Sequence, residues 1–209
     1  TGSTLTTETL NVGNGDSKES TVNLKGNTNA QHLTIKEDGT LNVGDNTTGT
    51  PTNLVVDDAI SMMGGDFNVF GGSSVKTPNI VTPDQLDEKA STVHVYANAE
   101  LQLSPADGSS LFENFKTEDG KDRIIIDGLL DLTVPEGSTI TQDPQTLFNG
   151  SGSFEKKGGG RFNVGANNPF AGTVELRDGE THIMEGGKLG NATVNVHAPS
   201  TLSVDKGET

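Results

Sequence analysis

Apolar and polar residues alternate in short runs along the whole chain, and this alternation is the dominant signal in the sequence. A period of two is typical of a strand with one buried face. Between the runs lie Asn-Gly, Asp-Gly and Gly-Gly steps, which favour tight corners. The sequence therefore predicts an all-β chain of short strands, centred on the runs 10–12, 22–24, 33–35, 41–43, 67–69, 93–95, 101–103, 130–132, 162–164, 174–176, 194–196 and 202–204.

The runs also repeat one another, which favours a solenoid over a sandwich. Positions 4–13 (TLTTETLNVG) are echoed by positions 33–44 (LTIKEDGTLNVG), and six of the twelve runs have Asn at the centre. Internal repetition of short strands indicates coils that stack on one another, whereas a β-sandwich would be dominated by hairpin signals. We therefore predict a parallel β-helix of about nine coils, each of about 20–25 residues.

Two segments interrupt the alternation and are predicted to be inserted loops, near residues 77–91 and 104–122. The first contains Thr82-Pro83 followed by Gln85, a helix-capping pattern that predicts one short helix or turn. The second concentrates charge around Leu111, Phe112 and Phe115, which we expect to pack the loop against the body. Projecting loops of a solenoid often bind partners. The candidate partner-contact residues are Glu113, Glu118, Asp119, Lys121 and Asp122.

Composition narrows the possible functions. The 209 residues carry a formal net charge of −15, so nucleic acid and anionic membrane surfaces are not expected partners. Cysteine is absent, which excludes thiolate metal sites, thiol catalysis and disulfides. No apolar stretch approaches the length of a transmembrane helix, and there is no signal-peptide pattern. Because the strand pattern starts and stops abruptly, we expect the sequence to be a slice of a longer protein.

Candidate catalytic and metal-binding residues do not form a recognisable set. Gly15-Asp16-Ser17 matches only part of a serine-protease motif and lies at a corner. The four histidines and the acidic pairs lack the spacing of metal ligands, and we expect histidines on strand faces and acids in solvent. A carbohydrate-active enzyme would need two clustered carboxylates and favours aromatic platforms, yet the sequence has no Trp and one Tyr. We therefore predict a non-enzyme without metal or cofactor; the residues weighed are His32, His94, His182, His197, Asp57, Asp58, Asp119, Asp122 and Tyr96.

The last quarter of the chain contains a glycine-rich motif at positions 150–164 (GSGSFEKKGGGRFNV) and 168–172 (NPFAG). It reads Gly-x-Gly-x-apolar-x-Lys-x-Gly-x-Gly-x-apolar-x-apolar, then Asn-x-aromatic-x-Gly, and this pattern resembles the autotransporter-associated β-strand repeat. The similarity runs from position 150 to position 204. It departs from the pattern at Gly165, which comes one place early, and at 179–181, where Gly-Glu-Thr replaces Gly-Thr-apolar. The part of the chain before position 150 is similar only in kind.

The resemblance implies a passenger domain of a type V secreted protein, with a right-handed parallel β-helix. It further implies an AIDA-like adhesin at the Gram-negative cell surface, attached to the outer membrane through a β-barrel outside this sequence. The expected partners are a host receptor or matrix protein, or a second copy on another cell. Two alternatives stay open: a carbohydrate-active β-helix enzyme, and a passive stalk that presents a distal functional domain. Outward Asn and Thr rows are expected to stabilise the coils, to associate laterally, or both.

Overall fold

The computed structural model describes residues 4–14, 18–45, 51–83, 90–115 and 123–206, which form an all-β parallel solenoid of about 8 turns. The strands pair in parallel register between successive turns, which we call coils. A coil passes through up to three strand segments, and these stack into three faces. The prediction of a parallel β-helix is confirmed, with a number of turns close to the nine expected.

Face 1 carries the first parts of β1 (Thr4–Val12) and β3 (Asn27–Val43), followed by β4 (Asn53–Val56), β6 (Ser74–Thr77), β9 (Glu100–Leu103), β12 (Leu129–Thr133), β15 (Ser153–Lys157), β17 (Thr173–Leu176) and β19 (Thr193–Val196). Face 2 carries the last part of β1, the middle part of β3 and the first part of β5 (Ile60–Val69). These are followed by β7 (Ile80–Val81), β10 (Ser110–Leu111), β13 (Thr139–Gln142), β16 (Arg161–Val164), β18 (Glu180–Ile183) and β20 (Thr201–Val204). Face 3 carries β2 (Ser20–Leu24), the ends of β3 and β5, then β8 (Ser91–Val95), β11 (Arg123–Ile126) and β14 (Phe148–Asn149).

Strands β3 and β5 run round corners without a break, so they join the three faces of the early coils into one 15-stranded sheet. Glycines permit the bend between faces 2 and 3 because successive coils approach closely there. A Cβ atom on Gly39 would lie 2.4 Å from the Val12 carbonyl oxygen, and one on Gly65 would lie 2.4 Å from the Gly39 carbonyl oxygen. In the later coils face 2 is a separate five-stranded sheet, β10-β13-β16-β18-β20.

The core is a continuous column of apolar side chains inside the solenoid. All twelve alternating runs lie in strands, and from Leu33 to Leu176 the apolar members of these runs point inward and are buried. Seven of the eight phenylalanines are buried, and five of them form a chain of contacts with ring centroids 5.6–6.1 Å apart. Each buried phenylalanine contributes about 1.5–3 kcal/mol of apolar burial. The five are Phe112, Phe115, Phe148, Phe154 and Phe162.

The coils differ in length, and the predicted loops belong to the longer ones. Glu100 pairs with Leu129 across one coil, whereas Thr173 pairs with Thr193 across a clearly shorter one. The coil that begins at Glu100 contains the segment 104–122, and the coil that begins at Ser74 contains the segment 77–91. No helix in the described part of the chain is long and apolar enough to cross a bilayer.

Candidate functional site

The candidate contact segment 104–122 is partly built into the stack. Its residues Ser110–Leu111 form β10, which pairs with β13. Leu111, Phe112 and Phe115 are buried, as predicted, whereas Glu113 is exposed. The other four candidate contact residues, Glu118, Asp119, Lys121 and Asp122, lie outside the described residues.

The two predicted loops meet on one side of the molecule. The Thr82 hydroxyl donates to the Asn114 carbonyl oxygen at 2.7 Å, and the Asn114 side-chain amide donates to the Thr82 carbonyl oxygen at 3.1 Å. The backbone N–H of Thr82 also donates to the Glu113 carbonyl oxygen at 3.0 Å. The residues of the predicted helix, 84–89, lie outside the described residues. Glu113 is therefore held beside Thr82 of the preceding coil by hydrogen bonds that fix its position on the surface.

Face 3 of the early coils carries a row of asparagines that bond to one another. Asn23, Asn42 and Asn68 occupy equivalent outward positions in three successive coils. The Asn42 amide donates to Asn23 Oδ1 at 2.8 Å, and the Asn68 amide donates to Asn42 Oδ1 at 3.0 Å. We call these three residues the amide ladder. It is a row of uncharged donors and acceptors that recurs at the strand spacing of about 4.8 Å.

An aromatic stack adjoins the amide ladder on the same face. The ring of Tyr96 stacks on Phe70 at 4.6 Å and on His94 at 3.6 Å between centroids. His94 follows Asn68 in the ladder register, and its Nε2 lies 3.0 Å from Asp127 Oδ2. Burial alone would raise the pKa of Asp127, but hydrogen bonds from His94 and the Ser151 amide outweigh it and hold the pKa below its ordinary value. These half-buried rings form an outward aromatic group that periodicity alone did not reveal.

Face 1 of the later coils carries charged rows instead of amides. Asp131, Glu155 and Glu175 occupy one outward column, and Lys157, Arg177 and His197 lie beside it, just beyond the column position of their own strands. We call these six residues the ion-pair ladder. Its contacts are Lys157–Asp131 at 2.8 Å, Lys157–Glu155 at 3.4 Å, Arg177–Glu155 at 2.7 Å, Arg177–Glu175 at 3.4 Å and His197–Glu175 at 2.6 Å.

Two members of the ion-pair ladder have pKa values shifted in the directions expected for ion pairs. The hydrogen bond to Asp131 raises the pKa of Lys157, and the hydrogen bond from His197 lowers the pKa of Glu175. A glycosidic general acid needs the opposite change, a carboxyl group whose pKa is raised. The ladder thus provides the clustered carboxylates that a carbohydrate-active enzyme requires, but Glu175 is kept ionised by its partners.

The four histidines lie outward at strands or their ends, as predicted, and each contacts a carboxylate of a neighbouring coil. Sequence alone gives no sign of these partners because they belong to other coils, between 22 and 33 positions away along the chain. The partners are Asp58, Asp127, Asp205 and Glu175. No group of three or more His, Cys, Asp or Glu side chains suited to a metal ion occurs among the described residues.

One histidine also contacts a serine, and the group resembles a catalytic triad in composition. His182 Nδ1 lies 2.8 Å from Ser203 Oγ, and His182 Nε2 lies 3.2 Å from Asp205 Oδ1. The Ser203 hydroxyl donates to Glu180 Oε1 at 2.7 Å, so its hydrogen points away from the imidazole. A nucleophilic serine would donate to the histidine. The geometry therefore fits a hydrogen-bonded link between coils better than a nucleophile.

The lysine of the glycine-rich repeat is an interior residue. Lys156 is fully buried in an inward column, between Leu132 and Leu176 of the adjacent coils. Its ammonium donates to three main-chain carbonyl oxygens, those of Gly158 at 2.7 Å, Gly160 at 2.6 Å and Asp178 at 2.6 Å. Burial lowers the pKa of Lys156 to about 8. The three ammonium hydrogens meet three acceptors from two successive coils, so this buried lysine is fully hydrogen-bonded.

The asparagine of the same repeat is buried as well. Asn168 exchanges two side-chain hydrogen bonds with Gln142, at 2.8 and 3.2 Å, and accepts the Phe148 amide at 2.8 Å. Its own amide also donates to the Lys188 carbonyl oxygen of the next coil at 2.8 Å. The repeat residues Lys156 and Asn168 thus hold coils together and are not surface contacts.

No family model, no curated protein and no solved structure matches this chain.

Proposed function

We propose that this chain is a segment of a bacterial cell-surface adhesin that attaches to host surfaces or to copies of itself through its lateral faces. The observation that carries the proposal is the amide ladder, a linear row of uncharged hydrogen-bonding groups on the outer surface of three successive coils. Each amide contact is weak, at about 1 kcal/mol, so attachment depends on many copies per cell. The glycine-rich repeat at 150–172 supports an autotransporter passenger as the source.

A bead assay tests the proposal. Beads coated with the purified chain are compared with uncoated beads for clumping, settling and attachment to cultured epithelial cells, at 0.05–1 M salt, roughly the range over which surface charge contacts are screened. We expect concentration-dependent clumping or attachment that changes little with salt, because neutral amides carry it.

Substitutions locate the contact. Asn42→Thr combined with Asn68→Thr removes the amide ladder while keeping β propensity. The matched control is Asn163→Thr, an outward asparagine on face 2 of a later coil. Loss of clumping in the double variant alone assigns the contact to the amide ladder. Beads that neither clump nor attach under any condition contradict the adhesin and favour a passive stalk.

A carbohydrate-active enzyme is the second candidate, favoured by the stacked carboxylates of Asp131, Glu155 and Glu175. Incubation with linear polysaccharides and detection of new reducing ends or of unsaturated products tests it. Activity that disappears in Glu155→Gln would replace the adhesin by the enzyme.

A further inference from the structure

A groove of about 650 Å³ runs along the corner between faces 3 and 1, across four successive coils. Its walls carry hydrogen-bonding side chains contributed by each coil in turn, and Leu129 is the one large apolar residue among them. The polar side chains in the walls are those of Asn98, Glu100, Asp127, Ser153, Glu155, Glu175 and Arg177.

Glycines form the floor of this groove because a side chain would collide with the adjacent coil. A Cβ atom on Gly128 would lie 2.3 Å from the Tyr96 carbonyl oxygen, and one on Gly152 would lie 2.2 Å from the Gly128 carbonyl oxygen. Gly172 continues the column in the next coil, 2.0 Å from the Gly152 carbonyl oxygen by the same measure. The depth of the groove is therefore a property of the fold and does not depend on movable side chains.

The polar groups in the walls are held in fixed orientations by their neighbours. Arg177 Nε donates to Glu155 Oε1 at 2.7 Å, and the Asn195 side chain donates to Glu175 Oε1 at 2.7 Å. Asp127, at the edge beside the aromatic stack, accepts the Ser151 amide at 3.1 Å. Pre-oriented polar groups bind a ligand at a lower cost in conformational entropy than free ones do.

The main chain of the floor is already bonded. Leu129 donates its amide hydrogen to the Ala99 carbonyl oxygen, Ser153 to Gly128, and Thr173 to Gly152, at 2.7–2.9 Å. A peptide that adds to a sheet needs unpaired main-chain groups, and these groups are paired. The groove instead offers side-chain donors and acceptors, repeated once per coil at about 4.8 Å. Hydroxyl-rich ligands whose units recur at a similar spacing fit this arrangement.

We propose that this groove binds a linear oligosaccharide along the solenoid axis, with about one sugar unit per coil. The four carboxylates of the walls, Glu100, Asp127, Glu155 and Glu175, outnumber the cations beside them, the Arg177 guanidinium and the Lys157 ammonium, so neutral or amino sugars fit and polyuronates are repelled. The proposal deepens the adhesin function, since it names the chemical class of the host ligand. It rests on the groove and not on the amide ladder.

Titration of the ¹⁵N-labelled chain with chitohexaose, cellohexaose and hexagalacturonate tests this inference by NMR. We expect chitohexaose or cellohexaose to bind with a Kd of about 0.1–1 mM, with shifts confined to the groove amides. The corresponding trimers should bind about tenfold more weakly, because they span fewer coils. Hexagalacturonate should not bind.

Two matched variants locate the site. Ser153→Trp fills the groove from the outward column of face 1, and Asn53→Trp places the same ring in the same column four coils earlier. Aromatic residues are tolerated at outward strand positions. Ser153→Trp should weaken hexamer binding at least tenfold, while Asn53→Trp should leave it within twofold of the parent.

The inference is overturned if no hexamer binds below 10 mM, if trimer and hexamer bind equally, or if both Trp variants lose binding alike. Bead clumping without oligosaccharide binding would contradict the groove proposal and leave the adhesin proposal intact. Oligosaccharide binding without clumping or attachment would support the groove and contradict the adhesin.

Discussion

The early and later coils share one backbone geometry but are joined by different chemistry. Up to Val69 the buried side chains of the described residues are mostly aliphatic, with Phe67, Met62, Thr28 and Thr52 among them, and the outward amide ladder links face 3. From Leu129 onward the interior contains linked phenylalanines, a buried lysine and buried amides, and the surface is linked by the ion-pair ladder. The solenoid therefore fixes where contacts occur, and the residues of each coil determine the contact type.

The difference shows that a polar group inside a coil needs protein hydrogen-bond partners, whereas one on the outside can bond to water. Outside, an amide or a charge that loses its partner turns to water. Inside, Lys156 and Asn168 have several partners each. Their loss leaves the Phe148 amide without its side-chain acceptor and the Gly158 and Asp178 carbonyls without the ammonium. Removing a polar residue of a given type should therefore lower the free energy of unfolding more when its side chain points into the solenoid than when it points outward.

The sharpest test removes the buried ammonium. Lys156→Met leaves three carbonyl oxygens without this donor, and we expect the free energy of unfolding to fall by about 2–4 kcal/mol. The matched control is Leu132→Met, at the same inward column in the preceding coil, which should cost less than about 1.5 kcal/mol. Urea unfolding followed by circular dichroism measures both; equal losses would show that the ammonium is not needed.

Next in size is the contrast between an inner and an outer asparagine. Asn168→Ala should destabilise the chain by about 2–3 kcal/mol, because the Phe148 amide and the Gln142 side chain each lose a buried partner. Asn42→Ala on the amide ladder should cost about 0.5–1 kcal/mol. The same unfolding assay compares them. A larger effect at Asn42 than at Asn168 would reverse the assignment of inside and outside.

Alkaline pH should change the free energy of unfolding through Lys156 in the later coils and not through the amide ladder in the early coils. Burial lowers the pKa of Lys156 to about 8, whereas in the unfolded chain this lysine has its ordinary pKa of 10.5. Between these two pH values the unfolded chain therefore binds more protons than the folded chain. The free energy of unfolding should therefore rise from pH 8 to pH 10, by roughly 1–2.5 kcal/mol. Lys156→Met should remove this rise, while Asn42→Ala should keep it. A profile that falls in the parent, or is unchanged in Lys156→Met, contradicts the assignment.

Salt should distinguish the two surface ladders by a smaller amount. Arg177→Gln breaks two contacts of the ion-pair ladder and should cost about 0.5–1 kcal/mol at 0.02 M salt, shrinking toward zero at 1 M. The cost of Asn42→Ala should not depend on salt, since no charge is involved. Parallel melts at the two salt concentrations compare them, and a salt-dependent cost at Asn42 would overturn the distinction.

Much of the fold was predictable because alternation is a local signal. Runs such as Leu41–Val43 and Phe162–Val164 define a strand and its buried side without knowledge of any partner. The strand at Arg123–Ile126 was not predicted, because its three consecutive isoleucines do not alternate with polar residues. The pairing between coils could not be predicted either, because it depends on the lengths of the corners, and these lengths differ from coil to coil.

The candidate sites were harder to predict because they arise between coils. His94 and Asp127, or Gly128 and Gly152, become neighbours only when the register is known. Lys156 and Asn168 stand out in the repeat motif, yet nothing in the sequence says whether a polar residue faces in or out. Once the register is set, the columns and their contacts follow directly from strand geometry.

The hydrogen bonds between coils run along the solenoid axis, and this gives the molecule a direction of mechanical weakness. A pull along that axis loads the bonds of one coil boundary in tension, so coils should detach one after another and extend the chain in steps. At the boundary between residues 153–157 and 173–176, the Lys156 ammonium spans the gap to the Asp178 carbonyl and adds a bond inside the wall. Under a tensile load along the axis, such a stack would lengthen before its two ends separated.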